Sequence, residues 1–184
     1  MPNKTKGALV KALKELLNET TLDHITVKEI VDRAGVSRQT FYYHFDDIYQ
    51  MLDWAFQNAL DQLFEMPAKD WHDRLTKEIA YLKENRVLAM NVYRSLGAEY
   101  FGKGLDRAMR PLIQEALQDV KYPISLDKEQ EEVAISFFIY GASGMIIKWL
   151  HEEIPDHLEE MIDRIHNLLI LHKNHKIFND ETPL

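Results

Sequence analysis

Between Ser37 and His44 the sequence sets out hydrogen-bonding side chains in a short run: Ser37-Arg38-Gln39-Thr40-Phe41-Tyr42-Tyr43-His44. Adjacent Arg38 and Gln39 suit planar, two-point recognition. A guanidinium can bridge two guanine acceptors, and a carboxamide can meet an adenine donor and acceptor together. Thr40 follows in the same helical turn. Ser37, Tyr42, Tyr43 and His44 add donors that can hold phosphate oxygens, fixing register without reading sequence. Eleven residues upstream of Ser37, Thr26 offers a hydroxyl, and Lys28 adds a charge for phosphate. Helix starts at Thr26 and Ser37 would also favour an anion.

These groups need rigid elements to aim them. Thr26-Val27-Lys28-Glu29 has the capping-box form, in which each end of the tetrapeptide satisfies an amide of the other. Val27, Ile30, Val31 and Ala34 give the apolar face of a short helix. Gly35 then suits a left-handed helix end, and Ser37 can cap the next helix through His44. Two short helices joined by such a turn make a helix-turn-helix, whose second helix lies in the major groove. Phe41 and Phe45 are four residues apart and read as core anchors, with stacking on bases as the rival role. Three aromatics in five positions cannot all face inward, so Tyr43 is expected outside. Leu9, Ala12, Leu13, Leu16 and Leu17 form the apolar stripe of a preceding helix.

The remaining sequence is also helical in period. A fourth helix starts at Asp46 or Asp47 and ends near Pro67. Others are expected near 70–84, 86–100, 105–121, 128–153 and 156–178. Gly102 and Gly104 punctuate the middle. Pro111, lacking an amide donor, should kink or start a helix. The fold class is therefore all-α: an N-terminal three-helix helix-turn-helix domain over 1–46 and a larger helical domain over 47–184.

Composition narrows the function classes. Hydrophobic residues make up 46% and charged residues 28%, a globular balance, and cysteine is absent. That excludes disulfides, thiolate zinc sites and a cysteine nucleophile. The formal net charge is -8, but residues 1–46 hold seven Lys/Arg and six Asp/Glu, so the acidity lies after Phe45. A near-neutral head permits nucleic-acid binding without announcing it. No phosphate-binding glycine loop and no G-x-S-x-G elbow is present, which argues against an enzyme. The histidines (His151, His157, His172 and His175 among them) lack a zinc-protease spacing, so no metal and no cofactor is expected. No apolar run is read as approaching the roughly 18 residues of a membrane span. A soluble cytoplasmic protein is expected.

The segments Ile25-Thr26-Val27, Ile30, Ala34-Gly35-Val36-Ser37, Thr40-Phe41-Tyr42 and His44-Phe45 strongly resemble the DNA-binding domain of TetR family transcriptional regulators. Two positions depart from many relatives: Gln39 stands for Gly, and Ile48 for Lys. The second departure removes a phosphate contact and should lower the salt slope of binding by about one unit. Arg38-Gln39 and Leu52-Asp53-Trp54 look more like a subgroup that includes regulators of dihydroxyacetone kinase operons. At least one of its members acts as an activator with a protein coactivator.

The resemblance implies a homodimer on a pseudo-palindromic double-stranded DNA operator. It also implies control by an unknown small-molecule effector or a protein coactivator acting on 47–184. Relatives dimerise through their last two helices. Residues 133–150 are apolar nearly all round, and Leu158, Met161, Ile162, Ile165, Leu168 and Leu169 supply a matching stripe. A simple central core helix remains the plainer account of 133–150. Candidate effector contacts are Tyr81, Asn85, Asn91, Tyr93, Arg94, Tyr100, Phe137 and Tyr140. The rival classes are an enzyme and an interaction module that keeps the helix-turn-helix without binding DNA.

Overall fold

A computed structural model describes residues 2–119 and 127–151. Among them are seven α-helices, one 3-10 turn and no strand. They are α1 Pro2–Leu17, α2 Val27–Ala34, α3 Arg38–His44, α4 Ile48–Glu65, α5 Trp71–Glu84, α6 Arg86–Asp119 and α7 Lys128–His151, with the 3-10 turn at Leu22–His24. The expected helix over 156–178 and its stripe, with His157, His172 and His175, lie outside the described residues.

The chain forms two compact units, each built from two stretches of sequence. The first takes Met1–Pro67 with Ala80–Leu105, and the second takes Ala68–Ile79 with the chain from Asp106.

In the first unit the stripe of α1 closes on α2, α3 and α4. Leu9, Leu13, Leu17, Ile30, Phe41 and Met51 are fully buried together. This core runs past residue 46 because Met51, Leu52, Ala55 and Val92 belong to it. Polar ties fasten the second stretch of sequence to the first. Buried Asn91 donates its side-chain amide to the Leu17 carbonyl at 2.8 Å, satisfying a helix-end acceptor of α1. Ser95 Oγ donates to Asp23 Oδ1 at 2.6 Å and accepts from the Asp23 amide at 3.3 Å. Tyr100 donates to Asp53 Oδ1 at 2.7 Å, and Lys14 Nζ donates to the Tyr81 hydroxyl at 2.9 Å.

The break in the middle of the chain falls elsewhere than expected. Gly102 and Gly104 are helical, and Pro111 lies inside α6. The interruption is at Gly97, with φ 77° and ψ -179°. That backbone region is open to glycine almost alone, whereas the other two glycines sit at ordinary helical angles.

In the second unit, Trp71, Ile79, Met109, Leu112, Ile135, Ile139, Ile146 and Trp149 are buried. Arg110 joins Asp106 at 3.1 Å and Glu132 at 2.9 Å, linking α6 to α7. Burial pushes the Glu78 carboxyl up to about 7, against the opposing charge of Arg74. Its Oε1, like the Ser143 hydroxyl, is buried with no hydrogen-bond partner among the described residues.

α7 corrects one expectation. By length and composition alone it could cross a membrane, its most apolar 18-residue stretch having a mean hydropathy of 1.6. Its Gly, Ser and Lys148 interrupt the apolar run by type without lowering the average enough. Core helices have the same property, and here Ile135, Ile139, Ile146 and Leu150 form a buried face. The opposite face, Val133, Phe137 and Tyr140, is exposed.

Candidate nucleic-acid interface

Capping fixes both helices of the motif. Thr26 Oγ1 accepts from the Glu29 amide at 3.3 Å, and Glu29 Oε2 accepts from the Thr26 amide at 2.8 Å. The same carboxylate oxygen also accepts a hydrogen bond from the Thr26 hydroxyl at 2.6 Å. These hydrogen bonds hold the Glu29 carboxyl below its ordinary value. Gly35 ends α2 at φ 67° and ψ 35°, and its amide donates back to Asp32 and Val31. Ser37 Oγ accepts from the Thr40 amide at 3.1 Å and lies 2.8 Å from the Thr40 hydroxyl. Both Ser37 and Thr40 therefore hold the first turn of α3 while their oxygens remain near the surface.

Phe41 and Phe45 anchor this turn inward, with 0% and 2% of their surface exposed. Their rings stand 6.0 Å apart. This agrees with the core reading of their spacing. Tyr43 is 81% exposed, as the crowding of aromatics demanded, and Tyr42 is 49% exposed. Arg38 and Gln39 are exposed at the start of α3. The Arg38 guanidinium lies along the helix, 3.3 Å from the Tyr42 hydroxyl and 5.7 Å from its ring centre. His44 is half-buried, edge-on to Tyr43. Thr26 and Lys28 are exposed at the start of α2. Of the nine residues expected to meet nucleic acid, seven thus sit on α3 and its cap. Thr26 and Lys28 sit at the start of α2. The exposed side of α3 is polar, cationic and aromatic over an apolar base.

Cations of the head differ in how they are held. Arg33 meets Glu19, with 3.0 Å between Nη2 and Oε2. Lys11 pairs with Glu15 at 3.9 Å, and Lys14 is bound to Tyr81. Lys6 lies over two rings, 5.2 Å from the Phe45 centre and 5.0 Å from that of Trp54. Nothing in the local spacing around Lys6 marks this placement, because both rings come from other helices.

The residues expected to contact an effector divide between the units. Tyr81, Asn85, Asn91, Tyr93, Arg94 and Tyr100 belong to the first unit, and Phe137 and Tyr140 to the second. Asn91, Tyr81 and Tyr100 carry the ties described above. Asn85 donates to the Tyr81 carbonyl at 2.8 Å. Tyr93 packs edge-on against Phe101 at 5.7 Å, and Arg94 is exposed. Phe137 and Tyr140 are 73% and 77% exposed, with Phe137 lining a shallow apolar depression with Val133, Ala134 and Phe138. His151 Nδ1 lies 2.8 Å from the Ile147 carbonyl of its own helix.

Comparison with known proteins adds a second line. Residues 9–54 match the family of bacterial regulatory proteins of the tetR type, and residues 69–171 match a transcriptional regulator C-terminal region. The chain is 29% identical over 91 residues to the HTH-type dhaKLM operon transcriptional activator DhaS of Lactococcus lactis, covering 48% of this chain and 49% of that protein. It is 19% identical over 191 residues to the uncharacterized HTH-type transcriptional regulator YxbF of Bacillus subtilis, covering 100% of this chain and 49% of that one. The chain thus spans about half the length of the curated relatives it matches. Among solved structures, the dihydroxyacetone kinase operon activator DhaS superposes with a TM-score of 0.74 at 21% identity, over 91% of this chain and 94% of the other. A tetR-family regulator from Streptomyces coelicolor gives 0.66 at 19%, over 92% and 81%. One from Rhodococcus sp. RHA1 gives 0.62 at 20%, over 93% and 98%. At these identities the structural likeness establishes the fold.

Proposed function

The chain belongs to the tetR family of bacterial regulatory proteins, and from that premise we propose that it is a DNA-binding transcriptional regulator of the cytoplasm. The observation that carries this reading is the exposed start of α3. Arg38 and Gln39 are presented there from a helix capped by Ser37 and anchored by Phe41. Arg38, Gln39 and Thr40 read base edges. Ser37, Tyr42, Tyr43 and His44, with Thr26 and Lys28 of α2, hold the phosphates. Residues 1–46 are the reading domain, and residues 47–184 carry dimerisation and control.

Two copies related by a two-fold axis bind a pseudo-palindrome, with half-sites about one helical turn or a multiple apart. The exposed face of α7, with Val133, Phe137 and Tyr140, supports its use in the dimer. An effector acts by favouring one spacing of the two heads, which requires unequal affinity for the two states. Effector contact is proposed for the candidate residues named above.

A second reading makes the protein an activator that works with a protein coactivator. Its activating half is supported by the DhaS relative, an operon transcriptional activator. The test begins with fragmented DNA from the source organism, incubated with the full chain and sequenced after recovery. A pseudo-palindromic site is expected. Enrichment of nothing at low salt would contradict the reading. Deleting the protein should then lower transcription beside the recovered site if it activates, and raise it if it represses.

A further inference from the structure

The corner where α3 passes into α4 has an unusual charge arrangement. Its own sequence offers no cation, since residue 48 is Ile and residues 46 and 47 are Asp. Asp47 Oδ1 accepts from the Gln50 amide at 2.7 Å, and Asp46 Oδ2 accepts from the Gln50 side chain at 2.9 Å. The start of α4 is therefore capped by its own carboxylates and carries two negative charges and no cation. Yet the C-terminal end of a recognition helix is a place where such domains meet the DNA backbone, as in homeodomains.

The missing charge arrives from another helix. Lys6 of α1 places its ammonium 5.2 Å from the Phe45 ring centre and 5.0 Å from that of Trp54, with the two rings 6.0 Å apart. Phe45 is the C-cap of α3 and Trp54 stands on α4. Ring faces attract a cation and hold it in place. They leave its three N–H donors open to a stronger acceptor. The carboxylates of this stretch are engaged elsewhere: Asp46 and Asp47 with Gln50, and Asp53 with Tyr100. Lys11, one and a half turns further along α1, is by contrast paired with Glu15.

We propose that Lys6, seated on Phe45 and Trp54, is a phosphate-contacting residue of the nucleic-acid interface and supplies the charge that Ile48 does not. The proposal rests on the DNA-binding reading above and deepens it. Lys6 holds a backbone phosphate beyond the end of α3. It adds affinity uniformly across sequences, and the aromatic pair positions it.

The test is the salt dependence of binding of the full chain to a mixed-sequence DNA duplex, followed by fluorescence anisotropy. Wild type, Lys6→Gln, Lys6→Arg and Lys11→Gln are compared, with circular dichroism showing each folded. Lys6→Gln should reduce the slope of log affinity against log salt by about one unit. Lys6→Arg should keep the wild-type slope, because arginine both stacks and carries charge. Lys11→Gln should keep it too, although it removes the same charge from the same helix. An unchanged slope in Lys6→Gln would overturn the assignment of Lys6 alone. So would an equal fall in Lys11→Gln, which would mark a general charge effect. Failure of the wild type to bind any duplex at low salt would overturn the DNA-binding reading and this assignment together.

Discussion

α3 and α7 each bury one face and expose aromatic residues on the other, but the exposed rings keep different company. On α3, Phe41 is buried while Tyr42 and Tyr43 stand out beside Arg38 and Gln39. Every exposed ring there carries a hydroxyl, and its neighbours are a cation and an amide. On α7, Ile135 and Ile139 are buried while Val133, Phe137 and Tyr140 stand out, followed by Gly141 and Gly144. A polar aromatic face suits a hydrated, charged partner such as DNA. An apolar face of this kind suits a dry contact with protein. Exposure alone does not distinguish the two roles; the neighbours of the exposed rings do, a cation and an amide on α3 and valine, phenylalanine and glycine on α7.

The contrast can be broken most forcefully from inside. Phe41→Ala should cost about 3–5 kcal/mol of stability, read by denaturant unfolding, because it empties the base on which the polar face stands. Next comes the apolar face itself. Phe137→Ser should weaken self-association by about 2 kcal/mol, measured by sedimentation, while leaving the fold intact. An unchanged association constant would remove this face of α7 from the dimer.

Two carboxyls carry the same contrast into electrostatics. Glu29, solvated and hydrogen-bonded by Thr26, is held low, whereas burial raises Glu78 to about 7. A raised carboxyl means that the native state binds the proton more tightly than the unfolded chain. Its contribution to stability is full below the ordinary value of 4.5 and is lost as pH rises through 7. Glu78→Gln should therefore flatten this part of the pH profile. Above pH 7 it should be about 1–2 kcal/mol more stable than wild type after allowance for solvent screening. Equal pH profiles for the two proteins would contradict the burial account. The smallest effect is expected at Tyr43→Phe. It should leave stability unchanged within about 0.5 kcal/mol. DNA binding, read by anisotropy, should weaken by about 1 kcal/mol, the worth of one phosphate hydrogen bond.

Local chemistry made much of this legible in the sequence. Thr26 with Glu29, Gly35 and Ser37 set helix limits through caps, which depend on residues a few positions apart. The spacing of Phe41 and Phe45 gave their burial for the same reason. Gly97 was not legible, because Ser95-Leu96-Gly97-Ala98 carries no stronger break signal than the stretch around Gly102 and Gly104. Only the backbone angles separate them. Asn91 reads from sequence as a pocket residue of amphipathic type, and nothing local shows that its amide reaches the Leu17 carbonyl. Lys6 was missed because its two rings lie 39 and 48 residues away. The polar ties and the cation seat are long-range, and periodicity carries no information about them.

The central claim is that α3 reads bases through Arg38. Its most direct test is the affinity of wild type and Arg38→Ala for the recovered site and for the same site with its contacted guanine replaced. The account predicts that wild type discriminates between the two by about 1–3 kcal/mol and that Arg38→Ala loses this discrimination. The variant should keep its unfolding midpoint, since Arg38 is exposed. Undiminished discrimination by a folded Arg38→Ala protein, at every guanine of the site, would contradict it.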